Sequence, residues 1–214
     1  MSRIIDKGLE EQSVLLVRMA ELTYETLDIA IRGYLNGRNV HEEVFEMSEM
    51  LVSMDSKVED TAFQLIARYQ PVATDLRTIK SYMKIGNDFA RYGRYSLDIS
   101  TLNNQFNGLK ECDIWQQEYL AEMSQKVLYM VKVSLDALRK YDVELAKSIT
   151  KTEVEVDKMY FDFQNKLIGD KAANSKCILS SSLMARYLER IADHATYVCE
   201  SVVYIATGEK IVLR

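Results

Sequence analysis

The scarcity of proline and glycine is the feature that most constrains this fold. The chain has one proline and eight glycines in 214 residues. Tight turns between β-strands depend on these residue types, and a sheet protein of this length would need many more of them. At 48% hydrophobic content the chain can still bury a substantial core. The composition therefore predicts an all-α protein.

Helix-ending signals divide the chain into six long helices. Glycine and asparagine residues that typically end helices occur in the segments 33–37 and 103–108, and Pro71 forces a boundary in between. We expect Pro71 to occupy the first turn of the third helix, where its missing N–H costs nothing. The predicted helices span about 6–35, 40–70, 71–103, 114–140, 143–168 and 175–206.

The order of three helices, a break and three helices indicates an internal repeat. The polar stretch from Asn103 to Gly108 is the best candidate for the linker at the midpoint. We therefore predict two domains, residues 1–106 and residues 107–214.

Charge and cysteine content favour a soluble, cytoplasmic protein. The net charge is -5, and no basic stripe offers a surface for nucleic acid. The three cysteines, Cys112, Cys177 and Cys199, are scattered, and each is expected to be a small buried apolar residue in a reduced compartment. No secretory leader and no apolar stretch of membrane-spanning length is found, so we expect no direct membrane insertion and any membrane association would go through a partner.

A line of acidic residues runs along the last predicted helix, in the stretch MARYLERIADHATYVCESVV from 184 to 203. At about 100° per residue, the line falls in a narrow arc beside a wide apolar stripe. The line consists of Glu189, Asp193 and Glu200, with Thr196 among them. His194 follows Asp193 directly, so it is expected to point away from the line.

A second acidic pair, Glu153 and Asp157, lies on one face of the fifth helix. If the fifth and sixth helices are antiparallel neighbours, Glu153 faces Asp193 and Asp157 faces Glu189. Four converging carboxylates repel each other and lose hydration, and a bound cation would compensate for both effects. Oxygen ligands favour magnesium, manganese or iron, and zinc stays open. The alternative is a surface salt-bridge network with the neighbouring cations, which are Lys151, Lys158, Arg186 and Arg190.

The first half lacks the matching carboxylates. Superposing the halves places Glu189 on Ala90 and Asp193 on Arg94. The predicted partners of these two positions on the second helix are Val52 and Ser48. If the halves are repeats, the acidic site is retained in the second half only. Asp55 and Glu59, one heptad along, are interpreted as an ordinary charged face, with a displaced metal site as the alternative.

Two segments, QPVATDLR in the first half and LERIADHATYVCE near the end, resemble the signature segments of the PhoU family of phosphate-transport regulators. The family pattern is close to Q-P-x-A-x-D-L-R followed by E-R-I-G-D, once in each half. The likeness covers nearly the whole chain, but the first half has Ala90-Arg91-Tyr92-Gly93-Arg94 in place of E-R-I-G-D, and the second half has no counterpart of Q-P-x-A-x-D-L-R. The resemblance implies two tandem three-helix bundles built from six long antiparallel helices.

The resemblance also implies metal binding through acidic E/D-x-x-x-D motifs. The matching residues are Glu153, Asp157, Glu189 and Asp193, and Glu200 matches a later acid more loosely. Asp75 and Arg77 in QPVATDLR are implied to contact a partner or an anion. Helix-start chemistry is the alternative for this pair.

The family's role implies negative control of phosphate uptake and of the phosphate-starvation response. Its members act through the cytoplasmic subunit of a phosphate ABC transporter and, in many bacteria, an associated sensor histidine kinase, and a homodimer is plausible by the same resemblance. No nucleophile–base pair or glycine-rich phosphate loop is found, so we predict a non-enzymatic, metal-binding adaptor.

Two alternative functions remain open. Acids on facing helices also build carboxylate-bridged di-iron oxidases, although these usually need Glu-x-x-His motifs that the chain lacks. A purely structural helical interaction protein, whose acids bind nothing, is the other alternative.

Overall fold

The structure, a computed structural model, describes residues 4–170 and 174–213. Within these residues all regular secondary structure is helical. The helices are α1 (Ile4–Asn36), α2 (His41–Tyr69), α3 (Ala73–Phe106), α4 (Ile114–Lys140), α5 (Val143–Lys147), α6 (Thr150–Gly169) and α7 (Ser175–Thr207). None of the helices in the described ranges is both long and apolar enough to cross a membrane.

The all-α prediction is confirmed, with one interruption in the predicted fifth helix, which the structure divides into α5 and α6. Two hydroxyl groups at the division bond to carbonyls three residues earlier. Ser148 Oγ donates to Leu145 O at 2.7 Å, and Thr150 Oγ1 donates to Lys147 O at 3.1 Å. Such local side-chain bonds compete with the regular helical ladder, which accounts for the break.

The start of α3 differs from the prediction. Pro71 precedes the helix, and Val72 is the extended residue that caps it. Asp75 Oδ2 accepts a hydrogen bond from the Val72 N–H at 3.4 Å, so the first turn is organised by a carboxylate and the proline only ends the preceding segment. α3 also continues to Phe106, three residues past the expected end, so the midpoint break is confined to residues 107–113.

All three cysteines are buried as predicted, but the expectation of reduced cysteines was wrong for two of them. Cys112 in the midpoint break and Cys177 in the first turn of α7 form a disulfide, with their Cα atoms 5.4 Å apart. The two residues are 65 positions apart in the chain, so no local pattern could reveal the pairing. Cys199 is free and buried as expected, and burial raises the pKa of its thiol to about 12.

α3 and α7 occupy the centre of the molecule. α3 packs against α1, α2 and α7, whereas α7 packs against α3, α4, α5 and α6. One continuous hydrophobic core runs through both halves, from Leu16 on α1 to Val203 on α7. A buried hydrogen bond of 2.7 Å between Tyr34 Oη and Ser180 Oγ also joins the halves. The two bundles are thus packed together through their central helices.

Close helix approach in the first half depends on two glycines of α3. A Cβ on Gly86 would lie 2.8 Å from Asp55 Oδ1, and a Cβ on Gly93 would lie 2.9 Å from Leu51 Cδ1 and 3.3 Å from the Ser48 Cα. The absence of side chains at these positions lets α2 and α3 come together. These contacts also confirm the predicted antiparallel register of the pair.

Candidate functional site

α6 and α7 lie antiparallel in the predicted register, which brings Asp157 of α6 near Glu189 of α7. Ser182 Oγ on α7 donates to Gln164 Oε1 on α6 at 3.1 Å, which fixes the antiparallel alignment. In that alignment Asp157 approaches Glu189, and the two carboxylates interact electrostatically. The predicted facing of the two helices is therefore correct, whereas the distance between the charges could not be predicted from periodicity.

Glu189 is the most constrained carboxylate of this group. Its Oε1 accepts a hydrogen bond from Arg186 Nη1 at 2.8 Å, while its Oε2 is buried with no hydrogen-bond partner in the described structure. Partial burial raises the pKa of Glu189, and the charges of Asp193 and Asp157 raise it further, against the opposing effect of Arg186. A carboxyl group with one unsatisfied buried oxygen and acidic neighbours has the chemistry of a cation ligand.

The other members of the predicted site differ in burial. Glu153 is buried, with 4% of its surface exposed, whereas Asp157 and Asp193 are half-buried. Each of the three makes further interactions with its surroundings. Across residues 4–170 and 174–213, no three acidic, histidine or cysteine side chains converge closely enough to hold a metal ion as they stand.

The donor chemistry suits a hard cation, but the carboxylates of α6 and α7 would have to move closer together to hold one. Hard carboxylate oxygens face each other, and one of them is unsatisfied. The Arg186 guanidinium already neutralises part of the charge, so a metal would have to compete with it for Glu189.

Glu200 lies in a different environment from this group. Its Oε1 accepts a hydrogen bond from the Leu213 N–H at 3.2 Å, and its Oε2 is 4.0 Å from Lys84 Nζ. The glutamate thus connects α7 to the chain segment after it and to α3. It shares a helix face with Asp193, but a separation of seven residues carries it about 10 Å along the axis.

The side chains of Asp75 and Arg77 lie in different parts of the structure and make different contacts. Asp75 is 96% buried at the start of α3, where it accepts the hydrogen bond from Val72. Arg77 instead reaches the end of α7, where its guanidinium carbon lies 6.0 Å from the centre of the Tyr204 ring. The Arg77 Nε is buried with no hydrogen-bond partner in the described structure. Helix-start chemistry thus accounts for Asp75 but not for Arg77.

The first-half counterparts are not an acidic site. Ser48 is buried against Gly93, Val52 and Arg94 are exposed, and Ala90 is half-buried. Partial burial and the charges of Glu59 and Asp88 raise the pKa of Asp55 to about 6. Partial burial also raises the pKa of Asp98, against the opposing effect of Arg94. Asp55 therefore sits on a partly dehydrated surface and not on the ordinary charged face that the sequence predicted.

Sequence reasoning missed a side-chain hydrogen bond between His194 and Asp88 that joins the halves. His194 points away from the acidic line, as predicted, and its Nδ1 lies 2.8 Å from Asp88 Oδ1 on α3. Asp88 is 96% buried, and its Oδ2 has no hydrogen-bond partner in the described structure. The one signal in the sequence was an aspartate beside apolar residues on α3, which by itself names no partner.

The outer face of α2 combines exposed apolar and acidic side chains. α2 carries seven acidic residues and two basic ones, a net charge as large as that of the whole chain. Four exposed apolar residues share one face of the helix, namely Phe45, Val52, Phe63 and Ile66. Phe63 is 61% exposed and Phe45 is 47% exposed, and Glu49 and Glu59 lie on the same face. An exposed apolar stripe with charged margins is typical of a protein–protein contact surface.

Comparison with known proteins finds the same architecture elsewhere. The model of the PhoU domain matches the chain twice, at residues 16–102 and 120–202. The phosphate-specific transport system accessory protein PhoU homolog of Clostridium acetobutylicum is 31% identical over 99% of this chain and 98% of its own length. PhoU homolog 1 of Thermotoga maritima is 30% identical over 90% of this chain and 84% of its own length. The crystal structure of PhoU from Pseudomonas aeruginosa superposes with a TM-score of 0.89 at 25% identity, covering 95% of this chain and 99% of that chain.

Proposed function

The chain belongs to the PhoU family, and on that basis we propose that it is a non-enzymatic accessory regulator of phosphate transport that acts in the cytoplasm. The full-length similarity to phosphate-specific transport system accessory proteins is the observation that carries this proposal. The regulatory effect proposed is negative control of phosphate uptake and of the phosphate-starvation response. The proposed role is that of an adaptor, with one surface for a partner and one site for a metal ion.

The proposed metal site is the acidic group between α6 and α7. Glu189 and Asp193 on α7 would hold the ion together with Asp157 and Glu153 on α6. The unsatisfied Oε2 of Glu189 and the mutual repulsion of these carboxylates support this assignment. A bound iron, manganese, magnesium or zinc ion would supply positive charge that holds the two helices together. Arg186 provides that charge when no metal is bound.

Elemental analysis of the purified protein tests the metal site. The double variant Glu189→Gln with Asp193→Asn should lose the bound metal and remain folded. Glu118→Gln with Glu144→Gln makes the same change in charge at exposed residues of α4 and α5 and should keep it. Metal content in the first variant equal to that of the second, after reconstitution with iron, manganese and zinc, would remove the site from the proposal.

The proposed partner surface is the outer face of α2. We propose that it docks a cationic segment of the phosphate transporter's cytoplasmic subunit. The charge of α2 supports this choice, because its acidic side chains would attract a basic partner and the four apolar residues would be buried in the contact. A sensor histidine kinase that uses the same face, and a second copy of this chain, are the competing occupants.

Co-purification with the transporter subunit tests this surface. Phe63→Ser with Phe45→Ser should reduce the affinity by at least about tenfold, because exposed aromatic residues at the centre of a contact contribute most of its binding energy. Ile168→Ser removes an apolar side chain that is 82% exposed on α6 and should have no effect. If the double variant binds the subunit normally but converts a dimer to a monomer, the face is a homodimer contact instead.

A further inference from the structure

A cavity of about 330 Å³ lies between α3, α7 and the segment that follows α7. Its walls carry three lysines, Lys80 and Lys84 from α3 and Lys210 from the segment after α7. Glu200 is the acidic residue of the lining. The cavity is separate from the acidic group of α6 and α7, and no part of the function proposed above uses it.

The chain after α7 is held in place as one wall of this cavity. Gly208 ends α7 in the left-handed conformation, with φ 81°, which a residue with a side chain rarely adopts. The Leu213 N–H then donates to Glu200 Oε1, and the Leu213 side chain is buried. These anchors position Lys210 opposite the lysines of α3, so the cavity is a built feature and not a chance gap between mobile side chains.

Positive charge is concentrated at this cavity in a chain whose net charge is negative. Glu200 offsets one of the three lysines, and its nearest approach to Lys84 is 4.0 Å. A fourth cation adjoins the lining, because Arg77 and Lys210 lie 6.0 Å and 5.9 Å from the centre of the Tyr204 ring. Like charges gathered from α3 and from the segment after α7 repel each other, and a bound anion would relieve that repulsion.

Arg77 lies beside the cavity without lining it, and one of its donors is unsatisfied. Its Nε is buried with no hydrogen-bond partner in the described structure, although a buried guanidinium N–H normally has one. Its Nη1 lies 2.7 Å from the position that a Cβ on Gly208 would take, so the absence of a side chain at Gly208 makes room for the guanidinium. The glycine therefore allows both the turn of the chain and the approach of Arg77 to the end of α7.

We propose that this cavity binds a small phosphorylated anion. Compact ammonium groups suit a multiply charged phosphate, and two from α3 and one from the segment after α7 can approach it together. The volume admits inorganic phosphate, and the Tyr204 ring and Ile211 provide apolar wall for the organic part of a larger phosphorylated ligand. The preference for phosphate over other anions rests in part on the proposed function, whereas the site itself rests on the lysines, Arg77 and the anchored segment.

Titration calorimetry on the purified full chain tests the proposal, with inorganic phosphate, adenosine triphosphate and citrate as probes. We expect at least one of the two phosphorylated probes to bind more tightly than citrate. Lys84→Gln with Lys210→Gln should weaken that binding by at least about tenfold, since two charges are removed next to the anion. Lys57→Gln with Lys140→Gln changes the charge equally at exposed residues of α2 and α4 and should alter the affinity by less than about twofold.

Glu200→Gln should change the affinity for phosphate in the opposite direction. The glutamine keeps an acceptor for the Leu213 N–H but removes the negative charge, so phosphate binding should tighten by about threefold. A role of Glu200 as a metal ligand would instead lower the metal content of this variant.

The pattern of results identifies the source of the phosphate group or overturns the site. Binding of inorganic phosphate would indicate a sensor of the free ion, and binding of the nucleotide alone would indicate a phosphorylated metabolite. The proposal is overturned if neither probe binds below about 10 mM, or if the two lysine variants have equal affinities. Because these titrations need no transporter subunit, loss of partner docking and loss of anion binding are separate outcomes.

Discussion

Asp193 on α7 and Arg94 on α3 occupy matching positions in the two halves, yet their side chains carry opposite charges. The second half keeps Glu189 and Asp193 facing the acids of α6, with Arg186 held against Glu189 at 2.8 Å. The first half has Ala90 and an exposed Arg94, and Ser48 and Val52 face them from α2. The four positions are therefore all acidic in the second half and all non-acidic in the first. A cluster with only some of its carboxylates would leave buried charges without compensation.

The halves also differ in how closely their helices approach each other. α3 has Gly86 and Gly93 against α2, whereas the matching positions on α7 are Ala185 and Ala192. All three cysteines, including the disulfide pair, lie in the second half. The first half thus depends on close helix packing, and the second half combines packing with a covalent link.

Removal of the disulfide should give the largest loss of stability. In oxidised protein, Cys112→Ser with Cys177→Ser should lower the free energy of unfolding by about 4 kcal/mol, because the link closes a long loop in the unfolded chain. Denaturant titrations with and without reductant measure this difference. Reductant should destabilise the wild-type protein to the level of the variant. Equal midpoints for both proteins before reduction would show that the link contributes nothing to stability.

A large side chain at Gly93 should give the next largest loss of stability. Gly93→Leu forces α2 away from α3, because even a Cβ would lie 2.9 Å from Leu51 Cδ1, and we expect a loss of about 3 kcal/mol. Ala192→Gly is the matched change on α7 and should cost about 1.5 kcal/mol, through backbone entropy and the loss of one buried methyl group. The comparison of packing between the halves fails if the two variants are equally stable.

Loss of Arg186 should have a smaller effect that is confined to the second half. Arg186→Ala removes the hydrogen-bonded cation of Glu189 and should cost about 1 kcal/mol at neutral pH in metal-free protein, because Arg186 is partly exposed. Arg94→Ala at the matching side of the first half is exposed and should change the stability by less than about 0.5 kcal/mol. Thermal unfolding of both variants in chelator measures the contrast, and equal losses would contradict it.

Asp55→Asn should give an effect that depends on pH, absent near pH 4 and present at neutral pH. The folded-state pKa of Asp55 is raised to about 6 from an ordinary value near 3.8, so the folded protein binds the proton more tightly than the unfolded chain. This contribution stabilises the protein below about pH 4 and is lost as the pH rises through 6. The variant should therefore match wild type near pH 4 and melt a few degrees higher at pH 7.5. A lower melting temperature for the variant at pH 7.5 would show that the Asp55 carboxylate is stabilising.

Much of the candidate site could be predicted from the sequence, because helical periodicity fixes which side chains share a face. The facing of Asp157 and Glu189 followed from two antiparallel helices and a short turn. The surroundings of Glu200 could not be predicted in this way. Periodicity puts Glu200 in line with Asp193, but the chain after Gly208 folds back and the Leu213 N–H bonds to Glu200. The hydrogen bond between Asp88 and His194 could not be predicted either, because it depends on how one half packs on the other.

The sequence by itself determined the helical class, the six-helix plan with its midpoint break and the acids that are retained in one half only. These are local properties, set by residue type and by spacing along one helix. Only the tertiary structure decided the Cys112–Cys177 link, the interruption between α5 and α6, and the gathering of lysines from α3 and the final segment around one cavity. The disulfide and the cavity depend on residues far apart in the chain, which are brought together by the burial of a core that the two halves share.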